Sequence, residues 1–283
     1  YSCNQINMSS EGAFFLGGVA CAYFATTIAL PAGVHPVVCI LAAGVVGAVI
    51  CAIPALLYIR FRALPVVSSL MVNYVALYLG LFIINYIIRD PQAGDLCSYE
   101  YLDSAVLPHL FSKTKIHLGL IIAAVAVVLS YLFLYRSKAG YAIRMVGMNP
   151  NFAKYSGMNV MFTILGCQLM GGFIAGIGGA VEQLGMYNRF QYQALSNHGF
   201  DGIMIAILAR YNPKFVPLAA LFLAYIRVGA DVMARTSDVP VEIVNIIQAV
   251  VIMFVAAERF LERWRHRQIV SSSQAQIAAK KEA

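Results

Sequence analysis

Charge is scarce in this chain: 12% of its 283 residues are Asp, Glu, Lys or Arg and 60% are hydrophobic, where a soluble domain carries roughly a quarter charged residues. With a mean hydropathy of +0.75, the composition excludes a soluble domain and defines an integral membrane protein. Metal and redox motifs are missing too. Cys3, Cys21, Cys39, Cys51, Cys97 and Cys167 show no CxxC spacing and mostly sit in apolar runs, where cysteine behaves as a small hydrophobe. A Cys3–Cys97 bridge requires both residues outside, and the topology below places Cys3 near the inner side. His35, His109, His117, His198 and His266 form no HExxH or other ligand pair, so no metal site is expected. Neither clustered aspartates nor a serine–histidine pair offers catalytic residues for an intramembrane enzyme. The GxxxxGK[ST] phosphate loop is absent as well. No cofactor is expected on this chain.

What is present is a series of long apolar runs. A helix needs about 20 apolar residues to cross the hydrocarbon core, which predicts spans at 12–31, 36–58, 64–88, 117–135, 159–183, 215–233 and 241–257. The net charge of +7 and pI of about 9.1 do not point to nucleic acid, because the cations sit in short loops and a tail. Arg60 and Arg62, then Arg136, Lys138, Arg144 and Lys154, then Arg259, Arg263, Arg265 and Arg267 mark cytosolic ends, the C-terminus included. The loop from Arg89 to Lys115 has no cationic excess and belongs outside.

Between two apolar runs lies a polar island at 140–157. Ser137 to Gly147 predicts a short amphipathic helix with Tyr141, Met145 and Met148 on one face. Asn149-Pro150 breaks it, Ala153 to Tyr155 starts a second turn, and Gly157 ends that turn. A membrane protein that keeps such a segment in water presents a docking knob.

Residues 200–209 are apolar but too short to cross alone, and read as a half-helix or part of a broken crossing. Such backbone is tolerated only where protein or a water-filled cavity surrounds it. Parity of the flanking spans requires 200–214 to complete one net inward crossing. Asn7-Met8-Ser9-Ser10-Glu11-Gly12 echoes Asn197-His198-Gly199-Phe200-Asp201-Gly202, and the two runs point in opposite directions, as an inverted repeat would. Gly44, Gly47, Gly166, Gly171, Gly172, Gly176, Gly178 and Gly179 suit close helix packing. The fold class expected is an all-α polytopic membrane bundle with broken half-helices and an inverted repeat.

These residues carry a resemblance. Gly140, Ile143-Arg144, Gly147, Asn149-Pro150, Ala153, Tyr155 and Gly157 stand in order before Gly176, Gly179-Ala180, Glu182 and Gly185. Gly199-Phe200-Asp201-Gly202-Ile203, Arg210, Asn212-Pro213, Val239-Pro240 and Ile247-Gln248 follow, and Val72-Asn73-Tyr74 and Glu11-Gly12 agree with the set. The ordered set resembles the permease subunits of bacterial nucleoside and simple-sugar ABC importers, within the branched-chain amino acid and ribose permease superfamily, and more narrowly the guanosine-type uptake permeases. The resemblance implies a bacterial inner-membrane location, a second related permease subunit, a cytosolic ATPase dimer and an extracellular substrate-binding lipoprotein. It assigns ATPase coupling to Gly140, Arg144, Gly147, Asn149, Pro150, Ala153 and Gly157. The chain starts at Tyr1 without the one or two opening helices of that family, so 1–270 is expected to be an N-terminally incomplete permease domain and 271–283 a disordered cytosolic tail. The run Asn7-Met8-Ser9-Ser10 is looser than the family's asparagine-isoleucine-glycine-alanine.

Asn73, Tyr74, Glu182, Phe200, Asp201 and Gln248 lie in or beside apolar stretches, where polar groups face a partner or water. Amides and carboxylates supply hydrogen bonds to a nucleoside and aromatic faces stack on its base, which makes these residues candidates for the substrate path. The same groups also suit a second role, satisfying broken-helix backbone or bridging helices. For Asp201, capping the short helix is the leading reading and substrate contact the second. An ion channel or ion-coupled secondary transporter shares buried acids and broken helices, but does not need the cytosolic island.

Overall fold

The computed structural model describes Cys3, Gln5, residues 7–110 and 116–236, Ile246 and Val250. Among the described residues there are nine helices and no β-strand: α1 Ser10–Thr27, α2 Val34–Phe61, α3 Pro65–Tyr86, α4 Gly119–Arg136, α5 Lys138–Met148, α6 Pro150–Tyr155, α7 Val160–Met186, α8 His198–Leu208 and α9 Val216–Thr236. The all-α membrane bundle expected from the sequence is the fold observed. Helices α2, α3, α4 and α7 are each long and apolar enough to cross a membrane. The expected span at 241–257, except Ile246 and Val250, and the expected tail at 271–283 lie outside the described residues.

The chain divides into two compact units, residues 1–203 and 204–283. In the first, α1, α2, α3 and α7 pack around a core that includes Phe15, Val19, Cys21, Cys39, Ala76, Ile84, Ala180 and Leu184. Glycine brings α2 and α7 into backbone contact. A Cβ on Gly172 would lie 2.3 Å from the Gly47 carbonyl oxygen, and one on Gly176 2.2 Å from that of Ala43, so these crossings exclude any side chain. The prediction of close packing holds there, whereas Gly166 and Gly171 face open space. Helix α4 stands apart: Gly119 is its only buried residue.

One end of this unit is closed by the loop after α3. Ser98 N–H donates to the Phe190 carbonyl (3.1 Å), Tyr101 N–H to Asn188 (2.8 Å), Leu107 N–H to Leu184 (3.0 Å) and Leu102 N–H to Ala25 (3.1 Å). The Tyr101 hydroxyl donates to Gln183 Oε1 at 3.0 Å, and burial pushes its pKa well above the usual phenol value, so it stays a donor. The six cysteines are free thiols.

The opposite end carries the island. Ser137 caps α5 by accepting from Gly140 N–H at 2.9 Å. Asn149 caps α6 by accepting from Asn151 and Phe152 N–H at 3.0 and 3.1 Å. Proline opens α6, and Gly157 at φ 80° turns the chain toward α7. Two short helices split at Asn149-Pro150 are what the sequence predicts. A small second core of Val146, Ala153 and Ile164, with Tyr58, Met158 and Val160 against it, fastens the island to the bundle.

In the second unit α8 ends in a tight turn with Arg210 and Tyr211 at φ 52° and 56°. Helix α9 follows Pro213, two residues beyond that turn.

Candidate functional site

The echoing segments Asn7–Gly12 and Asn197–Gly202 meet in space, each at the start of a helix. The entry to α1 is held by α3. Asn73 Nδ2 donates to the Met8 carbonyl (3.0 Å) while its Oδ1 accepts from Gly12 N–H (2.9 Å), and Ser69 Oγ accepts from Met8 N–H at 3.0 Å. Inside the α1 entry, Asn7 Oδ1 accepts from Ser9 N–H at 2.8 Å.

The entry to α8 is held by α1. Glu11, fully buried, accepts from Asn197 N–H at 2.7 Å through Oε1 and from Gly199 N–H at 2.5 Å through Oε2. Ser196 Oγ adds a weaker contact at 3.4 Å. The first N–H groups of a helix have no intrahelical partner, and the dipole there favours an anion. Glu11 therefore neutralises a helix end that would otherwise lie bare inside the bundle. The fit admits only glycine at 199, since a Cβ there would come within 2.5 Å of the Glu11 backbone.

Beside Glu11, Glu182 on α7 reaches α8 through His198. Its Oε1 accepts from the Tyr192 hydroxyl at 2.7 Å and lies 3.1 Å from His198 Nε2. The other ring nitrogen of His198 is 3.7 Å from Asp201 Oδ2, and the Phe14 ring meets the imidazole edge-on at 5.4 Å. Helix α8 has 11 residues, about 16 Å at 1.5 Å per residue, roughly half of the ~30 Å hydrocarbon core. It is a half-helix, as its length in the sequence predicts.

Of the substrate-path candidates, the structure thus gathers Glu182 and Asp201 around His198, with half-buried Phe200 on the same helix start. Asn73 lies one step away, on the α1 entry. Tyr74 is 59% exposed on another face of α3. Gln248 lies outside the described residues. The residues added by the structure are Glu11, Ser69, Tyr192 and His198. Glu11 had a sequence signal, as an acid beside an apolar run at the echo position of Asp201.

In the island, Gly140, Ile143, Val146 and Ala153 are buried, and Gly147 is half-buried. Asn149, Pro150 and Gly157 are exposed. Arg144 turns inward: its guanidinium lies 4.9 Å from the Tyr135 ring centroid on α4, and its buried Nε makes no hydrogen bond among the described residues. Met148 (81% exposed) and Tyr155 (91%) project outward with Tyr141 and Phe152.

A bundle of apolar helices, four of them long and apolar enough to cross a membrane, with an anchored polar island at one end, defines a multi-pass membrane protein. The chain belongs to the family described as "Branched-chain amino acid transport system / permease component", whose pattern matches residues 1–256, and it is a permease subunit of an ABC importer. It is 34% identical over 257 residues to the guanosine ABC transporter permease protein NupP of Bacillus subtilis, covering 89% of this chain and 73% of that one. It is 32% identical over 273 residues to the glucose ABC transporter permease protein TsgB13 of Haloferax volcanii (92% and 71% covered). It is 27% identical over 227 residues to the nucleoside ABC transporter permease protein NupB of Lactococcus lactis (77% and 62% covered). No solved structure matches the chain.

Proposed function

We propose that this permease carries nucleosides, with simple sugars the second substrate class, into a bacterial cell. The substrate class rests on the relatives, whose names include guanosine, nucleoside and glucose transport. The observation that carries the mechanism is the half-helix α8, whose N-terminus is held inside the bundle by Glu11 and Glu182. Asn73, Tyr74, Glu182, Phe200, Asp201 and Gln248 are proposed to border the path, hydrogen-bonding and stacking on a nucleoside. The loop at 87–118 then faces outside, where a binding lipoprotein delivers substrate, and the island and C-terminus face the cytosol.

ATP is hydrolysed by a separate ATPase dimer docked on the island, and a second related permease completes the pore. Met148, Phe152 and Tyr155 are exposed apolar side chains on a water-facing segment, which suits a protein partner. Behind them, Ala153 and Val146 pack with Ile164 of α7, and Arg144 rests on Tyr135 of α4. Movement of the island therefore pulls on α7, and through Glu182 and His198 on α8.

Uptake of labelled guanosine, other nucleosides, ribose and glucose, in strains carrying or lacking the intact gene cluster, tests this reading. We expect nucleoside uptake that requires this chain and an intact ATPase. Uptake that persists without the ATPase supports an ion-coupled transporter or channel instead.

A further inference from the structure

The island end of the first unit holds a cavity of about 440 Å³. It lies where α2 ends and α7 begins, with α6 alongside. Two cations line it: Arg62, the residue that ends α2, and Lys154 on α6. Neither makes an ion pair among the described residues. Arg62 is fixed at its root, because it sits at φ 57° with its N–H bonded to the Tyr58 carbonyl at 3.0 Å. The exposed amide of Asn151 adds a polar group, while Ile59, Val160 and Ile164 make an apolar wall. Exposed Phe61 and Phe162 lie at the same helix ends and extend the apolar surface there.

We propose that this cavity binds the phosphate of an anionic glycerophospholipid. A guanidinium forks onto two phosphate oxygens and an ammonium adds a point charge. Basic pockets between spanning helices at the cytosolic face suit such headgroups. The apolar wall decides between a lipid and a free phosphate. A small hydrated anion gains nothing from Ile59, Val160 and Ile164, whereas the glycerol and first methylenes of a lipid cover them and continue along the apolar faces of α2 and α7. The site rests on the proposed cytosolic placement of the island and not on which solute is carried.

The test is native mass spectrometry of the permease extracted as its full complex, titrated with phosphatidylglycerol or phosphatidylcholine of matched chains. Phosphatidylglycerol should be retained preferentially. Each of Arg62→Ala and Lys154→Ala should weaken retention about fivefold, and the double variant roughly 25-fold. Arg60→Gln, which removes an equal charge from a residue that does not line the cavity, should leave it unchanged. Val160→Trp, which fills the cavity at constant charge, should also release the lipid. Equal retention of the two lipids, an unaltered double variant, or an equal loss in Arg60→Gln overturns the proposal. So does displacement of phosphatidylglycerol by millimolar inorganic phosphate, which marks a free-anion site.

Discussion

Replacing Glu11 with Gln removes one charge from the interior while keeping the side-chain shape. The carboxylate takes two backbone N–H groups, those of Asn197 at 2.7 Å and Gly199 at 2.5 Å, one on each oxygen. A glutamine keeps one acceptor and turns its NH₂ toward the other N–H. The change loses a hydrogen bond to a charged group, worth about 1.5–3 kcal/mol, and leaves a buried donor unpaired at about 1–3 kcal/mol. Because those terms overlap, we take roughly 3 kcal/mol as the destabilisation of the α8 entry. At 1.4 kcal/mol per tenfold, local opening rises on the order of a hundredfold. Hydrogen–deuterium exchange of a peptide covering 196–203 reads that opening directly, with a peptide from the middle of α7 as internal control. Glu11→Gln should lose about a hundredfold of protection at Asn197 and Gly199, and Glu11→Ala more, with α7 unaffected. Uptake should fall in parallel. Unchanged protection at Asn197 and Gly199 in an assembled Glu11→Gln protein refutes the claim that this carboxylate holds the half-helix.

Three further outcomes are expected. Gly172→Ala should reduce assembled protein and its melting temperature sharply, because the new methyl meets the Gly47 carbonyl, whereas Gly171→Ala, which faces open space, should be neutral; thermal unfolding of the purified pair checks this. Tyr155→Ala should leave stability within about 0.5 kcal/mol yet depress ATP-driven uptake, while Ala153→Phe should destabilise the island itself, and wild-type uptake in Tyr155→Ala argues against docking there. A cysteine at Asp95 should react with a membrane-impermeant thiol reagent in intact cells and one at Asn151 only after permeabilisation, with the reverse pattern inverting the proposed topology.

Element positions were legible where apolar runs are long and bounded by charge or proline. Helices α2, α4 and α7 fall within a few residues of the spans read from hydropathy, and the split of the island at Asn149-Pro150 follows from turn chemistry. Helix α1 stops at Thr27 rather than continuing to 31, because Ile28 turns extended and Pro31 to Gly33 make a turn before α2. The partners of the polar groups were not legible. Glu11 and Gly199 are joined across 188 residues, and Tyr101 and Gln183 across 82, distances over which no periodic pattern operates. The N–H groups of Asn197 and Gly199 go to Glu11, the acid at the echo position of Asp201, a pairing that nothing local to α8 signals. Asn73 and Tyr74 looked equivalent as neighbours, but consecutive helical side chains diverge by about 100°, so one enters the bundle and the other faces out.

Helix α4, in which Gly119 is the one fully buried residue, links the loop after α3 to the island. Its 18 residues give about 27 Å of hydrophobic length at 1.5 Å per residue, slightly short of a ~30 Å hydrocarbon core. Among the described residues it meets α7 at Gly119 beside Val181 and α5 through Tyr135. A thicker bilayer favours a more upright α4, and its island end is joined to α5 by the Ser137 cap and by Arg144 on Tyr135. Membrane thickness thereby becomes a mechanical load on the island, and the rate of transport should respond to acyl-chain length with every residue of the protein unchanged.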